Sequence, residues 1–266
     1  MKLKIKVLFA LLAGTALIYA GCKKLDDGSP GTVTPKEVSS QVALNIAQTL
    51  YNGFGVFSVS DGINGPSGLG LSREKLALKL NHGRKINDLD GDITCGLSID
   101  TTLNETYTGD DGSQFSISGP FSISFTCTNG NPSGIHVFNN LNISESTTQL
   151  AATYKLAEDL TLQAVNPQSD QSDISLSGTL GFSDNVTLKT GSKASTAETF
   201  NYKYTSIIIN TNGDLASGSA TFSTKGTNAS GTWNYSGTVV FLGNNKVKIT
   251  INGTVYNVDL QTGVVS

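Results

Sequence analysis

Arginine is nearly missing from this chain: 266 residues contain two, Arg73 and Arg84, and the last 182 contain none. Positive charge is scarce altogether, with 18 Lys and Arg against 21 Asp and Glu. Binding along a phosphate backbone needs clustered cations, so nucleic acid is excluded as a partner. Charged residues of both signs reach only 15%, below the usual quarter. Cysteine occurs at Cys22, Cys95 and Cys127 alone. No His or Cys stands at ligand spacing beside the last two, which leaves a metal role there without ligands. The uncharged run Val7–Ala20 has 14 residues, short of the roughly 18–20 that a spanning helix needs.

Serine, threonine and asparagine fill the space that charge leaves, at 30, 30 and 22 residues. The hydrophobic share of 38% with 29 glycines is enough for a core. A polar but uncharged surface of this kind suits short strands and turns outside the cytoplasm. The N-terminus has three zones: Lys2, Lys4 and Lys6, then the apolar run, then Ile18-Tyr19-Ala20-Gly21-Cys22. The first two read as a signal peptide over residues 1–21.

Small residues at the two positions before Cys22 resemble a bacterial lipobox, with Tyr19 departing from the aliphatic residue usual there. Lys23-Lys24-Leu25-Asp26-Asp27 follows. An acidic cluster directly after the cysteine resembles the export tag of Bacteroidota-type outer-membrane surface lipoproteins. That resemblance implies lipidation at Cys22, a lipid anchor in the outer membrane and exposure at the cell surface. Residues 22–34 would then be the anchor and a disordered tether, rich in Gly, Pro and polar residues. In an oxidising compartment Cys95 and Cys127 are expected to pair, closing a loop worth about 3–4 kcal/mol in the chain-entropy model.

One helix is well signalled. Thr34 is its N-cap, Pro35 its first position and Glu37 its third, a capping box. Val38, Val42, Ile46 and Leu50 then recur every four residues, a stripe that docks on a sheet. Later sequence turns to strands: Ile174, Leu176, Gly178, Leu180 and Phe182 hold every second position, as in a half-buried antiparallel strand.

The C-terminus permits a register. Asn252-Gly253 predicts a type I′ hairpin pairing Ile249 with Tyr256 and Val247 with Val258. A three-residue loop Gly243-Asn244-Asn245 pairs Phe241 with Val247 and brings Trp233 and Tyr235 onto the same apolar face, with Lys246 opposite Asp259. The fold class is therefore mainly β: a large antiparallel meander sheet, as sandwich or half-barrel, with one N-terminal α-helix. Residues 35–266 read as a single β-rich domain, with a candidate internal boundary in the polar stretch 166–172.

Three short motifs, Ser72-Arg73-Glu74-Lys75, Ser183-Asp184-Asn185 and Lys189-Thr190-Gly191, together resemble the signature of penicillin-binding proteins and serine β-lactamases. Spacing rejects an enzyme of that kind. Only Val186, Thr187 and Leu188 separate the second from the third, and no helical domain exists to hold the nucleophile. Ser183-Asp184-Asn185 reads better as a turn between strands ending at Phe182 and starting at Val186. Asp88, Asp90 and Asp92 alternate like the opening of a calcium loop, but Ile93 and Ile99 stand where such a loop needs Gly and Glu. They remain a weak calcium candidate beside the favoured reading as an acidic turn. His82 and His136 read as structural.

The function expected from these residues is a lipid-anchored, non-enzymatic surface binding or structural module without cofactor. Its partners are the membrane, through the anchor, and an unidentified surface ligand. The alternative is a carrier of a hydrophobic small molecule: a half-barrel with the Val38–Leu50 helix as lid over a pocket at Trp233, Tyr235 and Phe241.

Overall fold

The computed structural model describes residues 31–50, 95–96, 98–169, 172–191 and 193–266. Cys22, Ser72–Lys75, His82 and the Asp88, Asp90, Asp92 cluster lie outside the described residues, as do the expected signal peptide and most of the tether.

The helix α1 (Pro35–Leu50) begins as its cap dictates. The Thr34 hydroxyl accepts from the Glu37 N–H at 3.3 Å, and the Glu37 carboxylate accepts from the Thr34 N–H at 3.0 Å. Val38, Val42, Ile46 and Leu50 are all buried.

Ten strands follow among the described residues: β1 (Ser98–Thr108), β2 (Gln114–Thr128), β3 (Asn131–Ser146), β4 (Leu150–Ala164), β5 (Ile174–Leu188), β6 (Ser195–Ile209), β7 (Leu215–Asn228), β8 (Gly231–Gly243), β9 (Lys246–Ile251) and β10 (Thr254–Asp259). Each pairs antiparallel with the next in a single open sheet of order β1 to β10. A meander of this kind needs only short connections, because each strand returns beside its predecessor. All ten strands lie in one sheet, so of the two expected forms the two-sheet sandwich is set aside. The polar stretch 166–172 belongs to the connection between β4 and β5, where the Val165 N–H reaches the Asp173 carbonyl.

Alternation decides the two faces. On β4, Leu150, Ala152, Tyr154, Leu156, Leu160 and Leu162 point inward and are buried, while Thr153, Lys155 and Asp159 point out. The inner face is continuous across the sheet, from Ile99 and Leu103 on β1 to Val258 on β10.

Helix α1 docks against this face. The Tyr202 hydroxyl donates to the Val42 carbonyl at 3.4 Å, and the Tyr235 hydroxyl donates to the Val33 carbonyl at 3.1 Å. Along β6 the rings of Phe200, Tyr202 and Tyr204 stack nearly parallel, at centroid distances of 6.4 and 5.7 Å.

The C-terminal register is the one its turns prescribe. Ile249 faces Tyr256, Val247 faces both Val258 and Phe241, and Lys246 bonds Asp259 at 2.8 Å. Positive φ at Asn252 and Gly253 is what the I′ turn requires. The expected three-residue loop is corrected: Gly243 ends β8 paired with Lys246, Asn244 and Asn245 form a two-residue turn with positive φ, and a bulge between Phe241 and Gly243 keeps Phe241 opposite Val247. Cys95 and Cys127 form a disulfide.

Two other local expectations are corrected. Ser183-Asp184-Asn185 is not a turn: β5 runs through it without a break, pairing with both β4 and β6. Three turn-forming residues in a row favour a break locally, yet two flanking ladders hold the segment extended, and tertiary pairing overrides propensity.

The expected tether also ends earlier than residue 34. Val33 is buried, and Thr32 bridges Thr232 in parallel. The reason is an unfilled edge: β9 pairs only with Gly237 and later residues of β8. The first part of β8 therefore has free backbone groups, which the segment at Gly31–Val33 satisfies through Thr232.

Candidate functional site

The outer face of β2–β5 carries a trough of about 410 Å³. Its floor follows from alternation and register together. One cross-strand row is Ser116, Ser144, Thr153 and Asn185; the next is Ser118, Asn142, Lys155 and Ser183. Neighbouring strands stand about 4.8 Å apart, so four strands give a floor roughly 14 Å wide.

Seven of the eight side chains are hydroxyls or amides, able to donate and accept in turn. Ser116 and Ser144 already share a hydrogen bond of 2.7 Å. Lys155 is the sole cation of the two rows and is exposed to solvent. At one end of the floor, Gly119 beside Ser118 holds a φ of +133°. A Cβ there would run into the Asn140 carbonyl, so only glycine lets β2 pass β3 this closely.

Behind this floor β3, β5 and β6 turn a set of acids inward. Tyr154, Asp184 and Glu198 face one another in register on β4, β5 and β6, with Glu145 on β3 diagonal to Tyr154. Both carboxylate oxygens of Glu145, and one each of Asp184 and Glu198, are buried without a hydrogen-bond partner. Burial pushes the carboxyls of Glu145 and Asp184 up to about 7, a backbone hydrogen bond from Glu198 opposing the rise at Asp184. Burial and then the charge of Asp184 push Glu198 up to about 8. Tyr154 is raised as well, by burial and by Glu145 and Asp184. A second buried polar pair, Asn139 donating to Glu158, lies further along β3 and β4.

The remaining sequence-derived residues fall elsewhere. Ser183 and Asn185 line the trough, whereas Lys189 bridges to the Ser146 hydroxyl and the Thr147 carbonyl at 2.8 Å each, tying down a turn. Among the described residues of these motifs no nucleophile and base come together. His136 bonds Asp159 at 2.8 Å on the exposed face. Ser124 stands opposite His136 in register.

Trp233 and Phe241 are buried in the continuous core with Tyr235 packed beside them. The indole N–H donates to the Thr224 hydroxyl at 3.0 Å, and the ring occupies the space over Gly226. Among the described residues no group of three His, Cys, Asp or Glu side chains is placed to hold a metal ion, and no helix is long and apolar enough to cross a membrane.

Sequence reading missed both the trough and the inward acids. The trough has no motif, because Ser and Thr at outward positions look like any solvated strand face. Glu158 did leave a signal, since it occupies an inward position within the strict alternation Leu150, Ala152, Tyr154, Leu156, Leu160, Leu162. Comparison with protein-family models, with curated proteins and with solved structures finds no match to this chain.

Proposed function

We propose that the chain is a lipid-anchored, cell-surface, non-enzymatic binding module that holds a polar ligand in the β2–β5 trough. The observation that carries this reading is the trough itself: a concave floor of hydroxyls and amides around one lysine. Such groups recognise a hydroxyl-rich or amide-rich ligand by direct hydrogen bonds, and a volume near 400 Å³ is of ordinary ligand-site size. The anchor rests on the N-terminal lipobox-like sequence ending at Cys22.

The hydrophobic-carrier alternative draws less support. Val38, Val42, Ile46 and Leu50 are buried against the sheet, and Trp233 and Phe241 belong to the same continuous core.

A glycan array probed with the wild-type protein and with Ser144→Trp tests the proposal. Ser144 is exposed, so the indole fills the trough without entering the core. The wild type is expected to bind a subset of glycans, and Ser144→Trp, at unchanged Tm, to lose them. Equal binding by the two proteins would move the ligand away from the trough.

A further inference from the structure

We infer that the ligand is a saccharide bearing a carboxylate, lying along β3 and β4 with its acid group at Lys155 and a sugar ring on Phe138. This rests on the trough reading and extends it: the Asn142–Lys155 end of the path lies in the trough, and the rest continues along β3 and β4 beyond it.

Register sets the path. Three outward pairs follow one another along the two strands: Asn142 with Lys155, Asn140 with Ala157, and Phe138 with Asp159. Each step of two residues advances about 6.8 Å, so Lys155 and Phe138 mark the ends of a strip roughly 14 Å long. The middle is low, with Ala157 and, beside it on β5, Gly181.

Each end has its own chemistry. The Lys155 ammonium is exposed, and among the described residues no carboxylate bridges it, although the inward Asp184 borders the same trough. One ammonium matches one negative charge. The strip has neither the arginine fork nor the helix N-terminus that a phosphate dianion favours. At the far end Phe138 is 41% exposed, an aromatic ring left in water beside Asp159 and Asn140. Its flat apolar surface suits the C–H face of a pyranose, which buries both. Asp159 beside it is held by His136 at 2.8 Å and presents its remaining acceptor capacity to sugar hydroxyls. Asn140 and Asn142 supply donors and acceptors between the ends.

The test is calorimetric titration of the purified protein with a uronic-acid oligosaccharide and with its carboxyl-reduced, neutral counterpart. The proteins compared are wild type, Lys155→Gln, Phe138→Ala and, as a control on an exposed lysine of β7, Lys225→Gln. The wild type is expected to bind the uronate about tenfold more tightly than the neutral sugar, a preference that fades as salt rises. Lys155→Gln should erase that preference, Phe138→Ala should weaken both ligands, and Lys225→Gln should change nothing.

Equal affinity for the two sugars, with Lys155→Gln silent, would overturn the acidic class. The trough reading would still stand if Ser144→Trp weakened binding. Binding of both sugars that is indifferent to Phe138→Ala and Ser144→Trp would overturn the inference and the trough reading together. If the uronate is not bound while array glycans of another class are lost in Ser144→Trp, the inference fails and the trough reading survives.

Discussion

Between pH 5 and pH 8 the protein is expected to lose stability, its Tm falling by roughly 10 °C. The cause is the group of buried acids behind the trough. Glu145 and Asp184 are raised to about 7 and Glu198 to about 8, against ordinary values near 4.

In the unfolded chain these carboxyls ionise freely above pH 4 to 5, whereas in the folded chain they keep their protons to pH 7 or 8. Across that window the folded state binds more protons, so stability is fully present below the unfolded values and is lost as pH rises through the folded ones. At about 1.4 kcal/mol per pKa unit the three groups together amount to several kcal/mol. None of the three is paired with a cation among the described residues that could reverse the sign.

Thermal unfolding followed by circular dichroism from pH 5 to pH 8 checks this. Asp184→Asn with Glu198→Gln should flatten the profile and raise Tm at pH 8, because an amide resembles the protonated acid and cannot ionise. A wild-type Tm that is level or rising across the window would show that these acids are ionised in the fold.

Gly178→Ala is expected to destabilise the protein by roughly 3 kcal/mol or more, the sum of a backbone penalty and a steric one. Gly178 sits at an inward position in the middle of β5 with a φ of +133°, and its missing Cβ leaves room for the Asp159 carbonyl and the Leu160 backbone of β4. The pairing with β6 slips by one residue at this point, and Ser206 opposite holds a φ of +46°. Together they form a bulge that bends a long strand, as sheets need if they are to curl. A methyl group there must either push β4 away or force β5 into another register.

Gly112→Ala is the contrasting substitution. Its φ is also positive, at +76°, but a Cβ there meets nothing, so it carries the backbone strain alone. Chemical denaturation of both variants separates the two costs. Equal midpoints would show that close packing at Gly178 contributes nothing.

The fold was most legible where local chemistry leaves one geometry. Thr34, Pro35 and Glu37 name a helix start, and the Asn252-Gly253 turn fixes the register of β9 and β10 with no reference to the rest of the chain. The cysteine pairing was legible from compartment logic. Legibility failed where distant partners decide. Ser183-Asp184-Asn185 looks like a turn because nothing nearby reveals that Thr153–Lys155 and Ala197–Thr199 will hold it extended on both sides.

The inward acids were hidden for a related reason. Glu145 and Glu198 each stand at the end of a buried alternation, after Leu141 and Ile143 and before Phe200, Tyr202 and Tyr204, and no local motif marks them as a group. The trough was the least legible feature, since its eight residues come from four strands. Each is unremarkable alone, and only cross-strand alignment turns them into one surface.

The measurement that tests the account most directly is native mass spectrometry of residues 23–266 purified without detergent, followed by solvent extraction and mass analysis of whatever is bound. With α1 packed on a filled inner face and recognition on the outer one, the predicted spectrum is the bare protein carrying one disulfide. A stoichiometric hydrophobic molecule released by solvent would contradict that account. It would place the ligand between α1 and the sheet, and it would make the chain a carrier.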